Sequence, residues 1–125
     1  MRKAYDRERA RKLVPLLESI TREIAERTRT AAVLLAELES LGDESDTVTA
    51  KELDLRAELA TQRREARLAM REIESLGCVI DETQPSLVYI PGSDGRIQRG
   101  YRWETGETTV RRLARPQPGT TPQGA

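Results

Sequence analysis

The sequence predicts an α+β chain that is mostly α: a long antiparallel two-helix coiled-coil hairpin followed by a small antiparallel β-sheet. Three observations predict it. Apolar residues recur in alternating steps of three and four along two long stretches, the period of a helix face. The two apolar seams match each other when the chain is folded back on itself. Near Gly77 the composition then changes from Ala, Leu, Glu and Arg to β-branched and aromatic residues punctuated by Gly and Pro. The 125 residues suit one domain over 1–113, with helices over 4–41 and 46–76 and the sheet over 78–113. Residues 114–125 are a tail too poor in apolar side chains to offset their ordering entropy, and are expected to be disordered.

The first seam runs Ala10, Leu13, Leu17, Ile20, Ile24, Arg27, Ala31, Leu34, Leu38, Leu41, apolar everywhere except Arg27. Asp6 is placed to cap the start, and Gly42, followed by Asp43, Glu44 and Ser45, to end it. Pro15 removes one hydrogen bond and crowds the carbonyl four residues back, so the helix either kinks there or splits between Lys12 and Val14–Pro15. The unslipped seam favours the kink. The second helix opens on Thr49-Ala50-Lys51-Glu52, a capping box, with Asp46 or Thr47 as earlier caps. Its seam is Val48, Glu52, Leu55, Leu59, Gln62, Ala66, Ala69, Ile73, Leu76, and Gly77 stands where a left-handed C-terminal cap belongs.

In an antiparallel pair the numbers of facing residues add to a nearly constant value. Setting Leu41 against Val48 places Leu34 on Leu55, Arg27 on Gln62, Ile24 on Ala66, Ile20 on Ala69 and Leu17 on Ile73. The single polar residue of the first seam meets the mid-helix polar residue of the second, and Ala faces Ile. Arg27 and Gln62 thus form a polar layer that sets the register, at some cost in stability.

Beyond Gly77 the strands are expected at Cys78–Ile80, Leu87–Ile90, Ile97–Trp103 and Thr108–Leu113, with the turn Pro91-Gly92-Ser93-Asp94-Gly95 between the second and third. Ile97, Arg99, Tyr101 and Trp103 share one face of the third strand. So small a sheet needs a lid, and Leu13, Leu16, Leu76 and Trp103 are expected to meet where the helices end.

Composition excludes more functions than it selects. Lys plus Arg and Asp plus Glu both number 21, so no net charge supplies a long-range field for a polyanion. One Cys and no His exclude an intramolecular disulfide, a His/Cys zinc site and any imidazole mechanism. No phosphate loop, dinucleotide fingerprint or nucleophile elbow is present. The expectation is a protein that is not an enzyme and takes no cofactor and no metal. Asp81, Glu82, Glu104 and Glu107 have no spacing that suits a cation loop. Cys78 follows a helix C-terminus, which disfavours a thiolate, so a buried structural thiol is expected. No apolar run approaches the about 20 residues that span a bilayer, and Met1-Arg2-Lys3 leads into charges rather than a signal peptide. A cytoplasmic location follows as the expectation.

The charge is uneven although its sum is zero. Residues 1–12 and 96–115 each carry +4, whereas residues 37–58 carry −6. The basic stretches belong to the sheet end, where Arg99, Arg102, Arg111 and Arg112 with Tyr101 and Trp103 as stacking platforms form a candidate surface for RNA or single-stranded DNA. The opposing reading makes Tyr101 and Trp103 the sheet's own core. Leu16, Leu35, Leu53, Leu68 and Met70 fall off the seams, and such exposed apolar stripes mark a partner surface. These features point to a structural or interaction protein, most simply a twofold homodimer forming a four-helix bundle, with a further protein partner that the sequence does not identify. Nucleic-acid binding at the basic end is the alternative.

Several of these residues also carry a resemblance. Tyr5-Asp6, Leu13-Val14-Pro15-Leu16-Leu17, Gly77-Cys78, Leu87-Val88-Tyr89-Ile90-Pro91, Trp103 and Gly106-Glu107 are similar to the motifs of a bacterial family classed as domain of unknown function 2203. Arg102 stands where that family's second Cys is found, and the family's Trp-His pair is absent. The resemblance spans residues 5–118. It implies the order helix, helix, small sheet, and no reaction.

Overall fold

The computed structural model describes residues 3–42 and 49–113. Along them run α1 (Arg7–Lys12), α2 (Val14–Leu41), α3 (Ala50–Ser75), β1 (Val79–Ile80), β2 (Leu87–Ile90), a single 3-10 turn (Ile97–Arg99), β3 (Tyr101–Glu104) and β4 (Arg111–Arg112). The class is the one expected, mostly helical with a small antiparallel sheet. Val48, the alternative caps Asp46 and Thr47, and the tail 114–125 lie outside the described residues. The chain divides into two compact units, Ser19–Glu72 and the pair of segments Met1–Glu18 and Ile73–Ala125.

Ser19–Glu72 is the helical unit, made of most of α2 and α3. Thr49 starts α3 as expected, its Oγ1 accepting from the Glu52 N–H at 3.1 Å. Burial follows the predicted seams. Ile20 and Ile24 on α2 and Leu59, Gln62, Ala66 and Ala69 on α3 are buried. Leu34, Leu38, Glu52 and Leu55 are half-buried. Arg27 Nη1 donates to Gln62 Oε1 at 3.2 Å, which places the polar layer in the register that the summed numbering predicts.

The other unit carries the sheet, in the order β1-β2-β3-β4 with every neighbour antiparallel. Val88 pairs with Trp103 and Ile90 with Tyr101, so one face of two central strands supplies four buried side chains. Ala10, Val14, Leu17 and Ile73 are the buried helical residues of the same unit. The N-terminal segment is tied to the loops of the sheet: Tyr5 N donates to Gly92 O at 3.2 Å, and Gly106 N to Glu18 Oε1 at 3.0 Å. The end of α3 is a Schellman motif. Cys78 N donates to Ile73 O and Gly77 N to Glu74 O, with Gly77 at φ 83°, where a Cβ would be strained.

Four expectations need correction. The first helix is not one kinked rod but α1 and α2 with Leu13 between them, because Pro15 cannot donate to Arg11 and the backbone tightens to Leu13 N–Ala10 O at 3.0 Å. The third strand does not begin at Ile97. Residues 97–99 form the 3-10 turn, and Gly100 then passes so close to β2 that a Cβ would sit 1.8 Å from Ile90 O. Only after that glycine is the chain free to pair. The fourth strand is reduced to Arg111–Arg112, and the first to Val79–Ile80. Finally, Leu16 does not join the lid: it is 45% exposed, whereas Trp103 is fully buried and Leu13 and Leu76 are half-buried.

Candidate interaction surface

At the sheet end the six residues expected to hold a nucleic acid separate into two groups. Tyr101 and Trp103 are core, 5% and 0% exposed, and the indole Nε1 is committed to Glu107 O at 2.8 Å. Neither offers a ring face for a base, so the stacking part of that surface is corrected. Arg99 and Arg111 are exposed, and Arg102 is half-buried. Arg99 pairs with Asp94 at 3.6 Å, Arg102 with Glu104 at 3.8 Å and Arg111 with Glu107 at 3.1 Å, and Arg112 is exposed. Each pair with a local acid reduces the charge available to a phosphate.

The carboxylates serve the backbone. Asp81 accepts from the Tyr89 hydroxyl at 2.7 Å, from Thr83 N and Oγ1, and from Gln84 N. The Tyr89 bond foremost, with those from Thr83 and Gln84, holds the Asp81 carboxyl below its ordinary range, and the Asp81 acceptor pushes the Tyr89 phenol up. Glu107 Oε1 accepts from Glu104 N at 2.9 Å. Among the described residues no three His, Cys, Asp or Glu side chains gather as a metal site. Cys78 is 2% exposed and burial pushes its thiol up to about 12, the opposite of activation.

The helical unit carries a different kind of surface. In heptad terms the seam occupies a and d, and Arg27 and Gln62 are both d residues facing across it. Their layer extends outward on one side: Arg27 Nε lies 3.5 Å from Glu23 Oε2, and Gln62 Nε2 donates to Glu58 Oε2 at 2.7 Å. Arg27 Nε itself is buried without a hydrogen bond. On the other side lies a groove of about 360 Å³ between the helices, its walls including Ala31, Ala32, Leu35, Ala66 and Met70 together with Arg63 and Arg67.

All five off-seam residues named from the sequence are exposed: Leu16, Leu35, Leu53, Leu68 and Met70. Val33, 57% exposed, and Val79, 46% exposed, join them and were missed. Spacing alone would have found Val33, which falls two residues past Ala31 and off the seam.

The motif residues that carry the family resemblance turn out to be structural. Gly77 closes α3, Cys78 fills the core, Pro91 is buried, Trp103 binds the Glu107 carbonyl, and Gly106-Glu107 forms the turn that receives both Trp103 and Glu18. No helix among the described residues is long and apolar enough to cross a membrane. No curated protein and no solved structure matches the chain. The family described as Uncharacterized conserved protein (DUF2203) matches over residues 3–120, which covers the capped first helix, the helical seams and the Gly-Cys and Gly-Glu turns of the sheet, and the chain belongs to that family.

Proposed function

We propose that this chain is an interaction protein rather than a catalyst, and that its helical unit associates with a second copy. The observation that carries the reading is the exposure of Leu35, Leu53, Leu68 and Met70 on helices whose seam is only one residue layer deep. A pair of helices buries one stripe each, so apolar side chains beside the stripe stay in water until another helix covers them. The part-buried Arg27–Gln62 layer supports the same reading, since a polar layer in a seam costs stability and serves to select one register and one partner. The absence of catalytic motifs from the sequence is consistent with it. Sedimentation equilibrium across micromolar to millimolar protein is the test. Particles heavier than the 14.1 kDa chain, at a concentration-dependent fraction, are expected, and a monomer throughout refutes the proposal.

A further inference from the structure

The two long faces of the helical unit beside the seam carry opposite charge. On the groove side, α2 presents Ala32 and Leu35 and α3 presents Arg63, Arg67 and Met70. Arg56, on the same side, is already tied to Glu52 at 2.6 Å, whereas Arg63 and Arg67 have no ion-pair partner among the described residues. The opposite side follows from the same heptads. Glu23, Glu37, Glu58, Glu65 and Glu72 stand at g positions of that side and Glu26 and Asp54 at c positions. Val33 and Leu68, both exposed, are the apolar residues among them. Lys51 is the one cation of that side, while the groove side's matching acid is Glu39.

A twofold dimer sets a face against its own copy. Through the groove side it would bring Arg63 and Arg67 toward their equivalents, and through the other side it would oppose carboxylates to carboxylates. Like charges brought together across an interface oppose association. Setting the groove side of one copy on the acidic side of the next removes both conflicts. It also covers Leu35 and Met70 with Val33 and Leu68. We infer that self-association of this chain is heterologous: the Arg63–Arg67 groove of one copy receives the Val33–Leu68 acidic face of a second. The inference rests on the self-association proposed above and specifies its geometry. Such a contact leaves one free face at each end, so assembly continues past the dimer or closes as a ring.

Two double variants test it: Arg63→Glu with Arg67→Glu, which reverses the charge of the basic face, and Glu26→Lys with Glu65→Lys, which reverses two carboxylates of the acidic one. All four side chains lie off the a and d seam, and far-UV circular dichroism verifies that each variant keeps its helices. Each variant alone is expected to lose association by about tenfold or more at low salt, and wild-type assembly to weaken as salt screens the contact. In an equimolar mixture each face again meets one of opposite charge, the intact groove on the intact acidic face and the charge-reversed groove on the charge-reversed one, so assembly beyond the 14.1 kDa chain should return. A variant that assembles alone as the wild type does, or a mixture that stays monomeric, overturns the heterologous geometry while leaving self-association standing. A monomeric wild type removes self-association itself, and this inference with it.

Discussion

All of the largest fully buried side chains lie in the sheet-bearing unit: Trp103, Leu17, Ile73, Ile90, Val88, Val110 and Cys78. The helical unit, although longer in regular structure, has none of them. Its seam reaches at best the 2–8% exposure of Ile20, Ile24, Leu59, Ala66 and Ala69, and includes a buried glutamine. The sheet unit therefore owns a core, drawn from segments more than 80 residues apart in sequence. The helical unit owns a seam, drawn from local periodicity. A core tolerates little change and needs no partner; a seam tolerates more and leaves apolar surface to cover.

The largest effects should come from the core. Trp103→Ala is expected to cost about 3–5 kcal/mol, through a cavity and a lost bond to Glu107 O, and Gly100→Ala about 3 kcal/mol or more, because its Cβ has the Ile90 carbonyl in its place. Leu34→Ala in the half-buried seam should cost about 1–2 kcal/mol. Urea melts followed by far-UV circular dichroism compare the three, and an equal cost at Leu34 would dissolve the distinction between core and seam. Cys78 probes the same contrast by pH. Burial favours its neutral thiol, so that contribution to stability is complete below the ordinary thiol range near 9 and is lost as pH rises toward about 12. Labelling by a disulfide reagent at pH 8 should accordingly be slowed by about a hundredfold or more in the native protein and restored in denaturant.

Next in size is the polar layer. Arg27→Leu alone should cost about 1–3 kcal/mol, since it strands the Gln62 carbonyl oxygen in the seam. Arg27→Leu with Gln62→Leu should recover most of that loss, because no polar group is then left unpaired in the seam. A thermal melt in which the double variant falls below the single one would mean that the layer stabilises rather than specifies. The caps are the smallest effects, and each unit has one. Asp6 Oδ1 accepts from Arg9 N at 2.8 Å and Thr49 Oγ1 from Glu52 N at 3.1 Å, so Asp6→Ala and Thr49→Ala should each cost about 1 kcal/mol in urea midpoints. A cost at Asp6 well above that at Thr49 would show that α1 transmits strain into the core through Tyr5.

The helical unit was the more legible of the two for a physical reason. Helix seams are written in steps of three and four, and numbering alone brought Arg27 to Gln62 across 35 residues. The cap at Thr49, the glycine stop at Gly77 and the strand Leu87–Ile90 are equally local signals. The third strand was less legible. Ile97–Trp103 alternates like a strand, but the approach of Gly100 to Ile90 O, which bends residues 97–99 into a 3-10 turn, is a contact between segments and leaves no trace in the alternation. Tyr101 and Trp103 show the same limit: alternation put them on one face, and nothing local said whether that face met solvent or a lid.

By itself, then, the amino-acid sequence determined the elements with a period, the register of the seams and the five off-seam apolar residues, since each depends on residue identity and spacing alone. Only the tertiary structure decided that the aromatic pair is core, that three of the four candidate arginines already hold local acids, and that one side of the helical unit is a basic-walled groove. Those outcomes depend on which distant surfaces meet, and burial and ion pairing are properties of that meeting rather than of any residue in it.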